Sequence, residues 1–501
     1  MSIIDVQNLT FGYDGAAENV FENVSFRLDT DWKLGFTGRN GRGKTTFLRL
    51  LMGEFRYSGR ISASVGFEYF PYPVHDPDGL SYDAAREVYD GFEDWELERE
   101  LSLLSVDPEI LWRPYQTLSM GERTKLLLAV MFTRPNSFLL IDEPTNHLDL
   151  AARECAAKYL NSKRGFILVS HDRAFLDSCT DHTLSINRAD IEVTAGNFSV
   201  WYQNKQLRDA FETAENEKLR QEISRLKSAA LEKSAWSDVA EGRKIGFDPR
   251  KTEKSLNRRA YEGAKSKKLQ ARAKAIEKRT ESMIEEKSSL LKNIEETESL
   301  KIHPLEWRSR RLCEIRKADF SYGERKIFEN FDFSLDRGER VALVGANGSG
   351  KSTLIKLILG ELSFDSAELC LIPKDMKISY LRQDVSRLSG RLDDFSDGVD
   401  RVLFLAILRK LGFSREMFSK NLEDFSAGQK KKAALARTLS ESAHLYIWDE
   451  PLNFIDIYSR MQIEELVKNS GATMLFVEHD RAFCENAATR VVNLYHGKTH
   501  F

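Results

Sequence analysis

The sequence predicts an α/β fold used twice, with a long α-helical hairpin between the two copies. Three observations predict it. First, the 501-residue chain repeats itself in register. GRNGRGKTT from Gly38 recurs as GANGSGKST from Gly345, and LSMGE from Leu118 as FSAGQ from Phe425. FLLIDEP ending at Pro144 recurs as LYIWDEP ending at Pro451, and VSHDRAF from Val169 as VEHDRAF from Val477. The offset is 307 residues, or 308 at the last motif, and a period this long means tandem domains and not a solenoid. Second, short β-branched and aromatic runs alternate with helical stretches in both copies: 33–36, 138–141 and 166–169, then 340–344, 445–448 and 474–477. That alternation favours a mainly parallel sheet flanked by helices. Third, the texture changes between about 198 and 301, where Gly is rare and charged, Ala, Leu, Gln and Ser residues dominate. Two long helices are expected there, at about 202–240 and 259–300, broken near Gly242, Gly246 and Pro249. Leu219, Ile223, Leu226, Leu269, Ile276, Ile284 and Leu291 supply a seam between them. The expected domains are therefore 1–200, 201–302 and 303–501.

Composition narrows the function class. The chain is 42% apolar and 10% aromatic, enough for packed cores and against disorder as the main state. Charged residues reach 30%, above the usual ~25%, as long exposed helices require. Apolar runs such as 126–132 and 402–408 fall short of a membrane span, and the N-terminus lacks the pattern of a secretory signal. The five cysteines are scattered without a CxxC, as reduced thiols of a cytoplasmic protein would be. The formal net charge of −3, taken whole, argues against a generally basic nucleic-acid binder.

The repeated motifs carry phosphate chemistry. In each P-loop pattern the glycines let backbone N–H groups curl around phosphate oxygens, and the following helix points its positive end at the anion. Gly38, Asn40, Gly41, Gly43, Lys44, Thr45 and Thr46 form the first, and Gly345, Asn347, Gly348, Gly350, Lys351, Ser352 and Thr353 the second. Lys44 and Lys351 are candidates for the β/γ-phosphates, and Thr45 and Ser352 for Mg²⁺. Asp142 and Asp449 each end an apolar strand, where a carboxylate holds Mg²⁺ directly or through water. Glu143 and Glu450 follow and are the candidates to orient and deprotonate an attacking water. His171 and His479, beyond the next apolar strand, read as γ-phosphate sensors.

At these residues the chain resembles an ATP-binding cassette ATPase, twice over, because LSMGE and FSAGQ are similar to the cassette signature. In that family two cassettes close head-to-tail around two ATPs. The resemblance implies that Ser119 and Gly121 complete the nucleotide on the second P-loop, and Ser426 and Gly428 the one on the first. Tyr13 and Tyr322, in FGY and FSY, match the aromatic that stacks on adenine, and Gln383 the Q-loop glutamine that reports on Mg²⁺ and γ-phosphate. The sequence departs from the pattern in two places. Tyr72 stands where Gln383 stands in the second copy, and Glu122 replaces the signature glutamine. With both glutamates present, two hydrolytic sites of unequal rate are expected.

Two cassettes, no membrane segment and a charged helical linker resemble the ABC-F family, which acts on ribosomes. From Arg243 to Arg279 there are 14 Lys and Arg against four acids, a local net of +10 that leaves −13 for the rest of the chain. A basic tip on an acidic body suits contact with an RNA phosphate backbone. The candidate contacts are Arg243, Lys244, Phe247, Arg250, Lys251, Lys254, Arg258, Arg259, Lys265, Lys267 and Lys268. Ile245 and Trp236 join Phe247 as apolar residues around the tip, although Trp236 serves equally as helix packing. The signature follows the P-loop hydroxyl by 74 residues in both copies, so the first carries no added arm, and only 22 residues follow His479. That build most resembles the antibiotic-resistance ABC-F proteins of the Lsa group, associated with lincosamides, pleuromutilins and streptogramin A. The resemblance implies a monomer whose cassettes close on each other, with ATP and Mg²⁺ as cofactors and the 70S ribosome, its rRNA and its P-site tRNA, as partner at the tRNA exit site. Two rivals stand beside it: a translation factor of the same build without a drug role, and the ATPase subunit of a drug exporter.

Overall fold

The computed structural model of the protein describes residues 2–15, 19–146, 148–187, 190–245, 300–346, 348–413, 415–495 and 498–500. It divides into two units, Met1–Trp201 with Thr297–Phe501, and Tyr202–Glu296.

The first unit holds the two copies. In the first copy the strands are β1 (Ile3–Phe11), β2 (Phe21–Asp29), β3 (Lys33–Thr37), β4 (Ser58–Ser62), β5 (Gly66–Phe70), β6 (Ser137–Asp142), β7 (Phe166–Val169), β8 (His182–Asn187) and β9 (Asp190–Ala195). The second copy repeats them as β10 (Arg311–Tyr322), β11 (Arg325–Asp336), β12 (Arg340–Val344), β13 (Leu369–Leu371), β14 (Ile378–Leu381), β15 (Leu445–Asp449), β16 (Met474–Val477), β17 (Arg490–Tyr495) and β18 (Lys498–His500). The main sheets run β5-β6-β7-β3-β8-β9 and β14-β15-β16-β12-β17-β18. All their pairings are parallel except the last in each, β8–β9 and β17–β18. Smaller antiparallel sheets, β2-β1-β4 and β11-β10-β13, complete each copy. The continuous apolar strands FLLI and LYIW are those of a parallel sheet covered on both faces. All six expected strands are present to within a residue at their ends. The small sheets were not legible in the same way. Register shifts in β1 and β10 interrupt the period of two by which a half-buried strand is recognised.

The core lies between the two sheets of each copy and is threaded by the helix after the P-loop. In the first copy Phe47 and Leu48 of Lys44–Leu51 pack among Phe21, Leu34, Phe36, Phe138 and Leu140. In the second, Leu354 and Ile355 pack among Phe328, Phe331, Val341, Leu343 and Ile447. The opposite face of the second sheet is covered by the helix Ala427–Ser440 through Ala433, Leu435, Ala436 and Leu439.

The first linker helix runs Phe198–Ile245, longer than the expected 202–240 at both ends. Asn197 starts it by accepting the Val200 N–H at 3.2 Å, and the helix continues through Gly242, since one interior Gly costs only about 1 kcal/mol. The second arm, expected at 259–300, lies outside the described residues except for its last residue, Leu300. So do Phe247, Arg250, Lys251, Lys254, Arg258, Arg259, Lys265, Lys267, Lys268 and Asn347. Arg243 and Lys244 lie in the last turn of Phe198–Ile245. No helix among the described residues is long and apolar enough to cross a membrane.

Phe47 ties the P-loop helix to the sheets through edge-on contacts with Phe21 at 6.1 Å and Phe36 at 5.6 Å. Phe47→Ala should therefore cost about 3–5 kcal/mol, read as a lower urea midpoint. A change below about 1 kcal/mol would mean that this helix is not held by the core.

Candidate nucleotide sites

Both P-loops close in the same way. Gly43 and Gly350 stand at φ +95° and +102° as the first helix begins. A Cβ on Gly43 would lie 2.5 Å from Val20, and one on Gly350 2.7 Å from Ile327, so no larger residue fits. Lys44 is buried, and its ammonium donates to the carbonyls of Gly38 at 2.7 Å and Arg39 at 3.3 Å. Lys351 donates to Gly345 at 2.7 Å and Ala346 at 2.9 Å. Burial lowers the pKa of both. It is opposed at Lys44 by Asp456, Glu143 and Asp142, and at Lys351 by Glu450, Asp149 and Asp449.

The next helix residue meets the strand-end aspartate. Thr45 Oγ1 donates to Asp142 Oδ2 at 2.9 Å, and Ser352 Oγ to Asp449 Oδ2 at 3.3 Å. Tyr69, on neighbouring β5, also donates to Asp142 Oδ2, at 2.9 Å. This contact was not foreseen. The run FEYF reads simply as a strand, and only the β5–β6 pairing brings residues 69 and 142 together. Burial and then the neighbouring Glu450 push Asp449 up to about 6.

Glu143 and Glu450 sit at φ +52° and +49°, in the left-handed region. The N–H of Glu143 is held by Val169 O at 2.9 Å and that of Glu450 by Val477 O at 3.0 Å. The chain must turn there the moment the strand ends, and such local strain concentrates at functional sites. His171 Nε2 stands 3.4 Å from Glu143 Oε1, and His479 Nε2 3.8 Å from Glu450 Oε1. Burial, then the nearby lysine, lowers both imidazoles, His479 to about 4, so each is neutral at pH 7. Burial, then Asp142, pushes Glu143 up to about 8. Among the described residues neither of its carboxylate oxygens has a hydrogen-bond partner, whereas Glu450 accepts from Asn453 Nδ2 at 2.5 Å.

The signatures open their helices as capping boxes. Ser119 accepts the N–H of Glu122 at 3.2 Å and Glu122 accepts that of Ser119 at 2.8 Å. Ser426 and Gln429 do the same at 3.3 and 3.0 Å. A carboxylate and an amide oxygen both serve as this acceptor, so Glu122 preserves the local structure. A cavity of about 700 Å³ is lined by Ser119, Met120, Gly121 and Asp149 of the first copy and by Ala346 of the second P-loop. Across the other junction Asn40 Nδ2 donates to Phe454 O at 3.0 Å, beside Gly428. The copies thus face each other head-to-tail. Near the centre, buried Arg153 donates to Leu148 O and Asp172 Oδ2 of its own copy and, at 3.2 Å, to His479 O of the other.

The remaining candidates flank the loops. Tyr13 and Tyr322 are half-exposed, and the Tyr13 hydroxyl lies 2.8 Å from Thr46 Oγ1. Phe70 pairs with Ile141 and Leu381 with Trp448, so Tyr72 and Gln383 both lie two residues past equivalent strand ends.

The raised Glu143 implies a pH effect with a definite sign. A carboxyl near 8 folded and near 4.5 unfolded binds its proton more tightly in the folded state. Its stabilisation is full below about 4.5 and lost as pH rises to about 8. Glu143→Gln should therefore melt progressively higher than wild type across that window. A constant difference in thermal midpoint would contradict the buried carboxyl.

The family model described as ABC transporter matches residues 21–146 and 328–453. The chain is 28% identical over 494 residues to the ribosome protection protein VmlR of Bacillus subtilis, covering 96% of this chain and 85% of VmlR. It is 29% identical over 503 residues to the ATP-binding protein Uup of Caulobacter vibrioides, covering 96% and 75%. Among solved structures it shares its fold with the archaeal ribosome recycling factor aABCE1 bound to the stalk protein aP1, at a TM-score of 0.63 and 17% identity, covering 98% of this chain and 89% of that one. Two P-loops, two signatures and two strand-end carboxylate pairs, matched by one family model twice, lead to one conclusion: the chain belongs to the ABC transporter family and is an ATP hydrolase built from two of its ATP-binding cassettes.

Proposed function

We propose that the chain is a ribosome-associated ABC-F ATPase. It binds the region of the tRNA exit site and protects the ribosome from antibiotics of the peptidyl-transferase centre: lincosamides, pleuromutilins and streptogramin A. The observation that carries this reading is the similarity to the ribosome protection protein VmlR along 96% of the chain. The +10 stretch between the cassettes supports it, because phosphate contact confined to one element suits a probe entering an RNA-lined cavity. In this reading the linker 201–302 joins cassettes 1–200 and 303–501, and the protein works as a cytoplasmic monomer.

In this reading the residues take the following roles. Lys44 and Lys351 leave their loop carbonyls for the β/γ-phosphates, and Thr45 with Asp142, and Ser352 with Asp449, hold Mg²⁺. Gln383 adds its amide to the second Mg²⁺, where Tyr72 has none to offer. Glu143 and Glu450 orient and deprotonate water, while neutral His171 and His479 sense the γ-phosphate. Ser119 and Gly121 close on the second nucleotide, Ser426 and Gly428 on the first, and Tyr13 and Tyr322 stack on adenine. Mg²⁺ held there would supply positive charge against the phosphate oxygens. ATP closes the cassettes for ribosome binding, and hydrolysis reopens them for release.

The test uses Glu143→Gln/Glu450→Gln. This variant should co-sediment with 70S ribosomes in ATP, and wild type should raise the drug tolerance of a sensitive host. No ribosome binding would overturn the reading. Binding without tolerance would leave a translation factor, and drug efflux an exporter subunit. Lys265, Lys267 and Lys268 changed to Glu should weaken binding and flatten its salt dependence. An unchanged affinity and salt slope would remove these lysines from the interface.

A further inference from the structure

The two cassettes differ at two buried positions that the shared mechanism leaves unused. The helix after the second signature carries Lys431, which is 1% exposed. Its ammonium donates to Arg382 O at 2.9 Å, Gln383 O at 3.1 Å and Asp449 O at 3.2 Å. Each of its three donors thus meets a carbonyl, two just beyond β14 and one at the end of β15. Glu478, next to His479, is 3% exposed. One of its oxygens accepts from Leu452 N at 2.8 Å, and the other from His479 N at 2.9 Å and Asp480 N at 3.4 Å. The carboxylates facing the Lys431 ammonium include those of Asp449, Glu478 and Glu450.

The first cassette has neutral hydroxyls at both positions. Thr124 bonds back to Met120 O of its own helix at 2.9 Å. Ser170 lies 3.2 Å from Thr145 Oγ1 and accepts from Asp172 N at 3.2 Å. None of these contacts reaches the segment just after β5, which carries Tyr72. Each charge keeps opposite charges besides the other: Asp449 and Glu450 favour that of Lys431, and Arg460 that of Glu478.

We propose that Lys431 and Glu478 are positioning residues of the second cassette, holding the segments that carry Gln383, Asp449 and His479 in the closed arrangement and making the second P-loop's site the faster of the two. Lys431 fixes the backbone of Gln383 to the strand end that carries Asp449. Glu478 fixes the backbone of His479 to the turn after Glu450. This rests on the two-site reading above and explains an inequality that the change from Gln383 to Tyr72 only suggests.

The test exchanges both residues for those of the first cassette. Lys431→Thr/Glu478→Ser is placed in a Glu143→Gln parent, which reports the second P-loop, and in a Glu450→Gln parent, which reports the first. In the Glu143→Gln parent kcat should fall about tenfold with KM for ATP within about twofold, because a misplaced group acts on the reaction more than on binding. In the Glu450→Gln parent kcat should change by less than about twofold. Equal losses in both parents, or none in the first, would overturn the proposal. An inactive Glu143→Gln parent would instead count against the two-site reading.

Discussion

The parallel pairing of β6 with β7, and of β15 with β16, is the constraint on which the rest depends. Asp142 lies opposite Val169 and Asp449 opposite Val477, at the last rung of each ladder. The next residue can no longer extend the strand. It turns left-handed and gives its N–H to that same valine, which aims Glu143 and Glu450 beside the histidines leaving β7 and β16. The neighbouring β3 and β12 end at the same level and deliver the P-loops, and the helices that follow bring Thr45 and Ser352 onto the aspartates. All the chemistry therefore collects at the carboxyl ends of one parallel sheet, where an open α/β fold places its ligands.

Most buried charges at the contact between cassettes keep partners within their own cassette. Arg153 is buried, yet two of its three partners, Leu148 O and Asp172, belong to its own cassette. Arg460 likewise keeps Ile455 O and Asp480. The buried Asp456 carboxylate pairs with Lys432 of its own cassette, and burial notwithstanding, Lys432 then holds it well below the usual carboxylate range. Separation would take His479 O from Arg153 without stranding its charge, but it would also break the Arg173–Glu464 pair, whose side chains are only 16% and 14% exposed. The pair Arg481–Glu154 does cross the junction, but both side chains are more than half exposed, and such pairs contribute little.

The sequence was legible wherever function is written in consecutive residues. The P-loops, the strand-end acids, the histidines and the six apolar strands are local patterns, and the repeat supplied each of them twice. What escaped was made by the fold. Tyr69 reaches Asp142 across 73 residues and Lys431 reaches Gln383 across 48, and neither carries a local signal. Lys431 lies in the run KKK, and nothing in that run marks it as the lysine that the helix turns inward. Glu122 reads as a departure in the signature until its capping box is seen, and Ser170 against Glu478 reads as drift until Leu452 and His479 appear as partners. The small antiparallel sheets escaped because their bulges break the alternation.

The central claim is that each ATP site is shared between the cassettes, with the second signature completing the first P-loop. It is tested most directly by Ser426→Arg, which places a cation and bulk at the start of the helix Ala427–Ser440 without touching either P-loop. Its ATPase activity would be measured in the Glu450→Gln and Glu143→Gln parents. The account requires turnover to be lost in the Glu450→Gln parent, whose active site is on the first P-loop, and kept in the Glu143→Gln parent. Loss confined to the Glu143→Gln parent would mean that each cassette completes its own site, and would contradict the head-to-tail arrangement.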